Sequence, residues 1–288
     1  MVEGQRRGLR ETSVYHYGHY LRLFESYLRK INLQNLCDLS PPVLSAFVTD
    51  SCGTLGKSSI TGLCSTLRVF LRYLYRERLI ARDLSGTVES PQAYRFSDIP
   101  RSISWDQVRQ MFEVVDRRTP SGKRDYAILL LLVIYGLRSY EVASLTLDAI
   151  DWKRERLYIP ERKAGHSTAY PLSPVVGQAI LDYLQQARPQ TSDRHVFFRV
   201  LGPYTPLTSS GISCRTSHYL RKAGVPVARP GSHTLRHTCV QHLVDAHFSL
   251  KTIGDYVGHR SPSSTEIYTK VSIEALREVA LGDGEEML

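Results

Sequence analysis

The pattern of apolar positions predicts that the first part of the chain is helical. Apolar side chains recur every three or four residues over Thr12–Ile31, which places them on one face of an amphipathic helix: Val14, Tyr17, Leu21, Phe24, Leu28 and Ile31. Pro41 and Pro42 predict the start of a second helix, which continues to about Val48. A third helix is predicted over Ser58–Leu79, and its buried side consists of Ile60, Leu63, Leu67, Phe70 and Leu74. Together these segments predict a helical N-terminal domain.

The periodicity stops near residue 90, which indicates a domain boundary. The stretch around residues 90–100 contains Pro91, Pro100 and several polar residues, a composition typical of a linker. We therefore predict a helical domain over residues 1–92, a linker over 93–103 and a second domain over 104–288. Ser104 and Gln107 have the spacing of a capping box, which predicts that the second domain begins with a helix that ends near Val115.

The second domain is predicted to be mainly helical, with one small sheet. Helices are predicted over Arg124–Tyr135, Ser139–Leu147, Pro174–Ala187, Thr208–Ala223, His233–Ala246, Leu250–Val257 and Ser272–Ala280. Arg156–Pro160 and Thr168–Leu172 instead predict two short strands around a turn at Gly165. The predicted fold class is therefore mainly α with a small antiparallel β-sheet.

The charge of the chain points to a polyanionic partner. The 37 Lys and Arg residues exceed the 28 Asp and Glu residues, which gives a net charge of +9. On the third helix Arg68, Arg72 and Arg76 are four residues apart and predict a cationic stripe that follows DNA phosphates. A solvated helix face is the alternative interpretation of this stripe.

Several classes of protein do not fit the sequence. The apolar run Ala127–Tyr135 is too short to span a bilayer, and residues 1–10 have no apolar signal-peptide core, so we expect a cytoplasmic protein. The five cysteines contain no Cys-x-x-Cys pair, which argues against a disulfide framework or a zinc site. We expect five reduced thiols that are mostly interior.

Four separate segments carry residues suited to chemistry on a phosphate. Arg138 follows the Gly136 turn, and Lys163 lies at the tip of the predicted hairpin. A third segment begins a helix with His-Thr-Leu-Arg-His, residues 233–237, and a fourth joins Gly258-His259 to Tyr268. His233 and His237 are four residues apart, but no carboxylate cluster accompanies them, so a metal pair is disfavoured.

These residues supply what a metal-free phosphoryl transfer to tyrosine requires. Arginine forks hold the non-bridging oxygens of a phosphodiester through paired, charge-assisted hydrogen bonds. Together with imidazoles they can neutralise the transition state by preorganised electrostatics. A phenol that attacks needs a proton acceptor or strongly cationic surroundings, and the leaving 5′-oxygen needs a proton donor. A covalent intermediate conserves the energy of the broken bond, so rejoining requires no ATP.

The sequence resembles the tyrosine recombinase, or phage integrase, family over Ser104 to about Val271. Gly-Leu-Arg-Ser-Tyr-Glu, residues 136–141, resembles the first motif box of this family. The second box is similar to residues 233–271, which contain His-Thr-Leu-Arg-His-Thr, Thr-Ile-Gly-Asp-Tyr-Val-Gly-His and Ser-Thr-Glu-Ile-Tyr-Thr-Lys-Val. The helical N-terminal domain is similar in pattern to the core-binding, SAM-like domain of the family.

The resemblance implies a role for each matching residue. Tyr268 attacks the scissile phosphate, forms a 3′-phosphotyrosyl link and releases a 5′-hydroxyl. Arg138 and Arg236 hold the phosphate oxygens. No metal and no cofactor is implied.

The remaining matches are implied to move protons or to support these groups. His233 assists proton transfer at the nucleophile, and His259 donates a hydrogen bond to the phosphate. Lys163 protonates the leaving oxygen, although His166-Ser167 follows the turn where the family often has a second basic residue. Glu141 is implied to orient Arg138.

The resemblance also implies partners and leaves alternatives. Double-stranded DNA is the implied partner, with a homotetramer on paired sites and a monomer or dimer when free. A helix after Tyr268, with Ile273, Leu276 and Val279 on one side, would dock on a neighbouring subunit as an exchange helix. Packing of this apolar side on its own domain is the alternative interpretation. A type IB topoisomerase and a non-catalytic DNA-binding relic are the alternatives. Ala246-His247 stands where the family usually has Gly, which predicts strain in a left-handed helix cap.

Overall fold

The computed structural model describes residues 11–91, 102–160 and 167–258. The chain divides into two compact units, and residues 11–91 belong to the first and the other two ranges to the second. Lys163, His259, Tyr268 and the helix predicted over Ser272–Ala280 lie outside the described residues. In the ranges given above, no helix is long and apolar enough to cross a membrane.

The described part of the N-terminal unit, residues 11–91, contains three α-helices around one apolar core. Helix α1 covers Glu11–Lys30, α2 covers Pro41–Cys52 and α3 covers Lys57–Arg76. A 3-10 turn at Leu36–Asp38 lies between α1 and α2, and another at Ser85–Thr87 follows α3. The core includes Phe24, Leu28, Ile60, Leu63, Leu67 and Leu74, which the sequence pattern places on apolar faces, together with Phe47 of α2. On the predicted face of α1, Val14, Tyr17 and Leu21 are only partly buried, and Ile31 is 40% exposed because α1 ends one residue before it.

The second unit contains the remaining described helices and the sheet. Its helices are α4 (Trp105–Glu113), α5 (Pro120–Ile134), α6 (Ser139–Ala143), α7 (Pro174–Gln186), α8 (Ser209–Lys222), α9 (Ser232–Asp245) and α10 (Leu250–Val257). Strands β1 (Ile150–Asp151), β2 (Arg156–Ile159) and β3 (Thr168–Pro171) form an antiparallel sheet in the order β1-β2-β3, and Leu157 pairs with Tyr170. The predicted capping box is confirmed at Ser104 and Gln107.

Helix α5 forms the centre of the second unit. Every residue from Ala127 to Val133 is buried, and the helix packs against α7 and α9. A helical stretch that is apolar on all sides is typical of a helix surrounded by protein. The C-terminal end of α5 therefore lies deep in the domain, where it starts the segment that carries Arg138.

Some expectations from the sequence are wrong in detail. The helix predicted over Ser139–Leu147 ends at Ala143, where Ser144 caps it by donating its backbone N–H to the Tyr140 carbonyl. Strand β1 escapes prediction because two residues are too few to show an alternating pattern. Cys37, Cys52 and Cys214 are exposed, so the expectation of mostly interior thiols is also wrong.

The strained cap expected after α9 is confirmed. His247 adopts a left-handed backbone with a φ of 61°. Its N–H donates to the Val244 carbonyl, and the N–H of Phe248 donates to the Leu243 carbonyl. This is the hydrogen-bond pattern of a Schellman cap, in which the left-handed residue is most often glycine.

Candidate active site

Arg138 is held by the turn between α5 and α6. Gly136 has a φ of 57°, which reverses the chain after α5 and places Arg138 at the N-terminal cap of α6. One oxygen of the Glu141 carboxylate accepts from the Arg138 guanidinium at 2.9 Å, and the other accepts from the Arg138 backbone N–H at 2.8 Å. The Glu141 side chain is only 1% exposed, against 20% for that of Arg138. A buried carboxylate thus fixes both the backbone and the side chain of this arginine.

Arg236 lies on α9 and is almost completely buried. One of its terminal nitrogens donates to the Gly136 carbonyl, and the other donates to the Val257 carbonyl at 2.8 Å. A buried guanidinium requires such partners, because an unpaired charge in the interior is very costly. The side chain of Arg236 therefore joins three segments of the domain: the turn after α5, α9 and the end of α10.

The end of α10 orients both arginines. Gly258 caps α10 in a left-handed conformation with a φ of 66°, and its carbonyl accepts from the Arg138 guanidinium at 2.8 Å. The neighbouring Val257 carbonyl accepts from Arg236. The last carbonyls of a helix have no partner within the helix and form the negative end of its dipole, so they are suitable acceptors for cations. Two consecutive carbonyls thus bring the two arginines of separate motif boxes to one place.

The space around Gly136 shows why this position is glycine. A Cβ atom there would lie 3.1 Å from the Cys239 Sγ atom and 3.1 Å from a Val257 methyl group. The φ of 57° is also one that side-chain-bearing residues rarely adopt. Glycine therefore permits the close approach that lets its carbonyl reach Arg236.

His233 lies one helical turn before Arg236 on α9. His233 is exposed to solvent, but the protein packed around it partly desolvates the imidazolium, and Arg236 and Arg138 add positive charge nearby. Burial first, and the two arginines second, lower the pKa of His233 below its usual 6.5. The ring is therefore held in the neutral form near pH 7, in which one nitrogen can accept a proton.

The predicted cationic stripe on α3 has several contacts within its own unit. The Arg68 guanidinium donates to the Val88 carbonyl at 2.8 Å and to the Ser90 hydroxyl at 2.8 Å. Arg72 and Arg76 are exposed, and Arg72 donates to the Ser85 hydroxyl at 3.3 Å. Arg68 thus attaches the segment after α3 to the helix, while Arg72 and Arg76 are exposed and Arg76 also pairs with Glu77 at 3.0 Å.

The structure brings Arg138, Glu141, His233 and Arg236 together. Of the other predicted site residues, His259 directly follows Gly258, and Lys163 lies in the chain between β2 and β3. Sequence reasoning missed the carbonyls of Gly136, Val257 and Gly258, which bind the arginines. The glycines themselves were a signal, since Gly136 stands two residues before Arg138 and Gly258 directly before His259.

Models of known families match both units. Residues 101–274, more than half of the chain, match the model described as "Phage integrase family". Residues 5–78 match the model described as "Phage integrase, N-terminal SAM-like domain".

Individual relatives agree with these models. The chain is 34% identical over 276 residues to a putative integrase/recombinase, y4rA, of Sinorhizobium fredii; the match covers 96% of this chain and 67% of that protein. It is 29% identical over 274 residues to tyrosine recombinase XerC of Oceanobacillus iheyensis, which covers 92% of this chain and 88% of that protein.

Solved structures show the same fold. XerH site-specific recombinase, bound to palindromic difH substrate in a post-cleavage complex, matches with a TM-score of 0.78 at 18% identity, over 95% of this chain and 80% of that one. A lambda integrase tetramer bound to a Holliday junction matches with a TM-score of 0.71 at 16% identity, over 90% of this chain and 74% of that one.

The family match agrees with the arrangement of the residues. The two motif-box arginines meet at the end of α10, directly before the sequence that continues to Tyr268. The "Phage integrase family" model covers all four segments in which the sequence places candidate chemistry. This chain belongs to the phage integrase family, the tyrosine recombinases, which are enzymes that break and rejoin DNA strands at specific sites.

Proposed function

We propose that this chain is a site-specific recombinase or integrase that cuts and rejoins duplex DNA through a 3′-phosphotyrosyl intermediate on Tyr268, without metal or ATP. The observation that carries the proposal is the pairing of Arg138 and Arg236 through the Gly258 and Val257 carbonyls at the end of α10. Two cations fixed in this way form a preorganised site for the oxygens of one phosphate.

The first chemical step is an exchange of oxygens on phosphorus. The phenolic oxygen of Tyr268 forms a bond to phosphorus while the bond from phosphorus to the 5′-oxygen breaks. His233, neutral near pH 7, assists removal of the phenolic proton, and Lys163 supplies a proton to the leaving 5′-oxygen. Arg138, Arg236 and a hydrogen bond from His259 stabilise the added charge on the phosphate oxygens.

Rejoining is the reverse of this step. A 5′-hydroxyl, from the same or another strand, attacks the phosphotyrosine, and the tyrosine leaves as a phenol. The number of phosphodiester bonds is unchanged, so no external energy source is required. Exchange of the attacking strand turns simple resealing into recombination.

Glu141 is proposed to act on Arg138 and not on DNA. Its carboxylate bonds both the guanidinium and the backbone N–H of Arg138, and it is buried. It therefore fixes the direction of the guanidinium before the phosphate arrives. Its negative charge also offsets the cost of burying part of Arg138.

The proposed partners are double-stranded DNA and further copies of the same chain. A net charge of +9 supports DNA binding, as do the XerH and lambda integrase relatives of known structure, which are bound to DNA. The lambda integrase assembly is a tetramer, and we propose a homotetramer on paired sites here, with a monomer or dimer when free. We place the protein in the cytoplasm, at the nucleoid when it is bound to DNA.

Covalent capture on nicked DNA tests the proposed function. The probe is a pool of duplexes with randomised sequence and a nick a few bases beyond the cleaved bond, so that the short released strand diffuses away. We expect a detergent-stable adduct in EDTA and without ATP, and none with Tyr268→Phe. Tyr204→Phe is the control, because Tyr204 is an exposed loop tyrosine of the same domain. No adduct from folded wild-type protein, or an adduct from Tyr268→Phe, would overturn the proposal.

A second pair of variants tests the arginine site directly. Arg236→Lys keeps the charge but cannot reach both the Gly136 and Val257 carbonyls, so we expect adduct formation to slow on the order of a hundredfold. Arg215→Lys is the matched control, since Arg215 binds Asp125 in the same unit. Equal rates for the two variants would contradict the assignment of Arg236.

A further inference from the structure

Three tyrosines connect the segments that surround the arginine site. The ring centroids of Tyr135 and Tyr170 are 5.1 Å apart, and those of Tyr170 and Tyr256 are also 5.1 Å apart. Tyr135 and Tyr170 are both 2% exposed. The three residues belong to three different elements: Tyr135 caps α5, Tyr170 is in β3 and Tyr256 is in the last turn of α10.

Each hydroxyl of this tyrosine cluster binds the backbone of another of these segments. The Tyr135 hydroxyl donates to the Pro171 carbonyl at 2.9 Å and accepts from the Ser173 N–H at 2.8 Å. The Tyr170 hydroxyl donates to the Tyr256 carbonyl, and the Tyr256 hydroxyl donates to the Ile134 carbonyl at 3.1 Å. The bonds therefore form a closed circuit from the end of α5 to β3, from β3 to α10, and from α10 back to α5.

Two of the acceptors are helix-end carbonyls. Ile134 is the last residue of α5, and Tyr256 is the second-last residue of α10. Such carbonyls lack partners within the helix and are commonly satisfied by water or by mobile side chains. Here phenols on rigid rings bind them. Burial raises the pKa of Tyr135, so its hydroxyl keeps the proton that it donates.

The same two helix ends hold the arginines. The carbonyls of Gly136, two residues after Ile134, and of Val257, one residue after Tyr256, each accept a hydrogen bond from Arg236. Gly258 accepts from Arg138. A shift of α10 relative to α5 would therefore move the acceptors and both guanidinium groups with them.

We propose that Tyr135, Tyr170 and Tyr256 are positioning residues that fix the ends of α5 and α10 and so set the separation of Arg138 and Arg236. This inference rests on the proposed function, in which the two arginines bind one phosphate. The tyrosines do not touch the phosphate; they act through the backbone carbonyls. Misplacement of reacting groups by about 1 Å can cost about a hundredfold in rate, so small displacements matter.

The test uses hydroxyl deletions that keep the aromatic ring. Tyr170→Phe and Tyr256→Phe each remove one bond of the circuit, and Tyr183→Phe is the matched control. The Tyr183 hydroxyl is buried in the same unit and accepts from the Phe198 N–H at 3.2 Å. The DNA is a duplex recovered by covalent capture, and the measurements are adduct rate at saturating DNA, DNA affinity and thermal unfolding.

We expect the two cluster variants to form adduct about tenfold or more slowly, with DNA affinity within about twofold of wild type. A second substrate carries a neutral methylphosphonate at the cleaved bond and so needs less neutralisation by arginine. The cluster variants should lose clearly less rate on this substrate, which a general loss of structure would not produce. Tyr183→Phe should react like wild type on both.

The outcomes separate this inference from the proposed function. If wild-type protein forms no adduct, the proposed function fails and the positioning role falls with it. If wild type reacts and the cluster variants match Tyr183→Phe, only the positioning role is overturned. An equal loss on both substrates also overturns it. Tyr256 is only partly buried, so Tyr256→Phe keeps the test valid if Tyr170→Phe does not fold.

Discussion

At the scale of single residues, His233 shows how the site sets a protonation state. The pKa of this imidazole is lowered mainly because the surrounding protein desolvates the charged ring, and secondly because Arg236 and Arg138 make a further positive charge unfavourable there. The neutral ring can take a proton from a phenol, whereas the charged ring cannot. The same shift makes the folded state sensitive to acid.

The lowered pKa of His233 predicts a pH dependence of stability. At pH values between the lowered pKa of His233 in the folded protein and its unfolded value of 6.5, this histidine binds a proton in the unfolded chain but not in the folded one. The folded state is therefore fully stable, as far as His233 is concerned, at a pH above the unfolded pKa. It loses stability as the pH falls from the unfolded pKa toward the folded pKa. We expect His233→Gln to lose less thermal stability than wild type when the pH is lowered from about 7.5 to about 5.5. His218, whose pKa is also lowered by burial, accounts for part of the acid sensitivity that the His233→Gln variant still shows. Identical losses in both proteins would contradict the assigned cause.

His247 offers a prediction about backbone strain. Its φ of 61° is unfavourable for a residue with a Cβ atom but not for glycine. We expect His247→Gly to stabilise the domain by about 1 kcal/mol, as measured by chemical unfolding, after the greater unfolded-state entropy of glycine is included. Ala246→Gly is the control, because Ala246 has a φ of −79° and gains no relief, so this variant should be destabilised. If both variants shift stability in the same direction, strain at His247 is not the cause.

At the scale of elements, the turn after α5 links the fold to the site. The Gly136 carbonyl reaches Arg236 only because no side chain separates the turn from α9 and α10. Gly136→Ala should therefore destabilise the protein by more than about 2 kcal/mol, from backbone strain together with crowding against Cys239 and Val257. Adduct formation should also fall, because the acceptor of Arg236 moves.

Gly224 provides the control for this prediction. Its φ of 69° resembles that of Gly136, but a Cβ atom there would meet nothing within 4 Å. Gly224→Ala should lower the free energy of unfolding only through backbone strain, by about 1 kcal/mol, and leave the cleavage rate unchanged. Equal effects of the two substitutions on stability and rate would show that crowding at the site is unimportant.

The elements also show how far the sequence alone could lead. Helices with a clear apolar face, such as α1 and α3, were predictable because one period runs through their whole length. The motif residues of α9 were identifiable because they match the second motif box of the family. The carbonyls of Gly136 and Val257 could not be identified as acceptors from the sequence, since every residue has a carbonyl. Only the folded structure shows that these two accept from Arg236. The contacts of Arg68 were hidden for a related reason: a charged stripe looks the same whether it meets phosphates or its own backbone.

At the scale of the whole molecule, the excess of positive charge predicts how DNA binding responds to salt. Each phosphate neutralised by a protein cation releases condensed counterions, so the logarithm of the binding constant falls with the logarithm of salt concentration by about 0.9 per contact on duplex DNA. A net charge of +9 supports several such contacts. A flat salt response would contradict DNA binding of the proposed kind.

The arginines of α3 contribute to this salt dependence in different ways. Arg72 and Arg76 are exposed, so Arg72→Gln with Arg76→Gln should weaken binding and reduce the salt slope by about 2 if each contacts one phosphate. Arg68 already binds Val88 and Ser90, so Arg68→Gln should lower the stability of the N-terminal unit and change the slope less. Arg29→Gln is the control for lost charge, because Arg29 lies on a different helix, α1, and is an exposed arginine paired with a carboxylate, Glu25, as Arg76 is with Glu77. Affinity titrations over a range of salt concentrations measure all of these slopes. If the α3 double variant has the slope of the Arg29 control, the charge of α3 does not contact DNA, and the stripe is a solvated helix face.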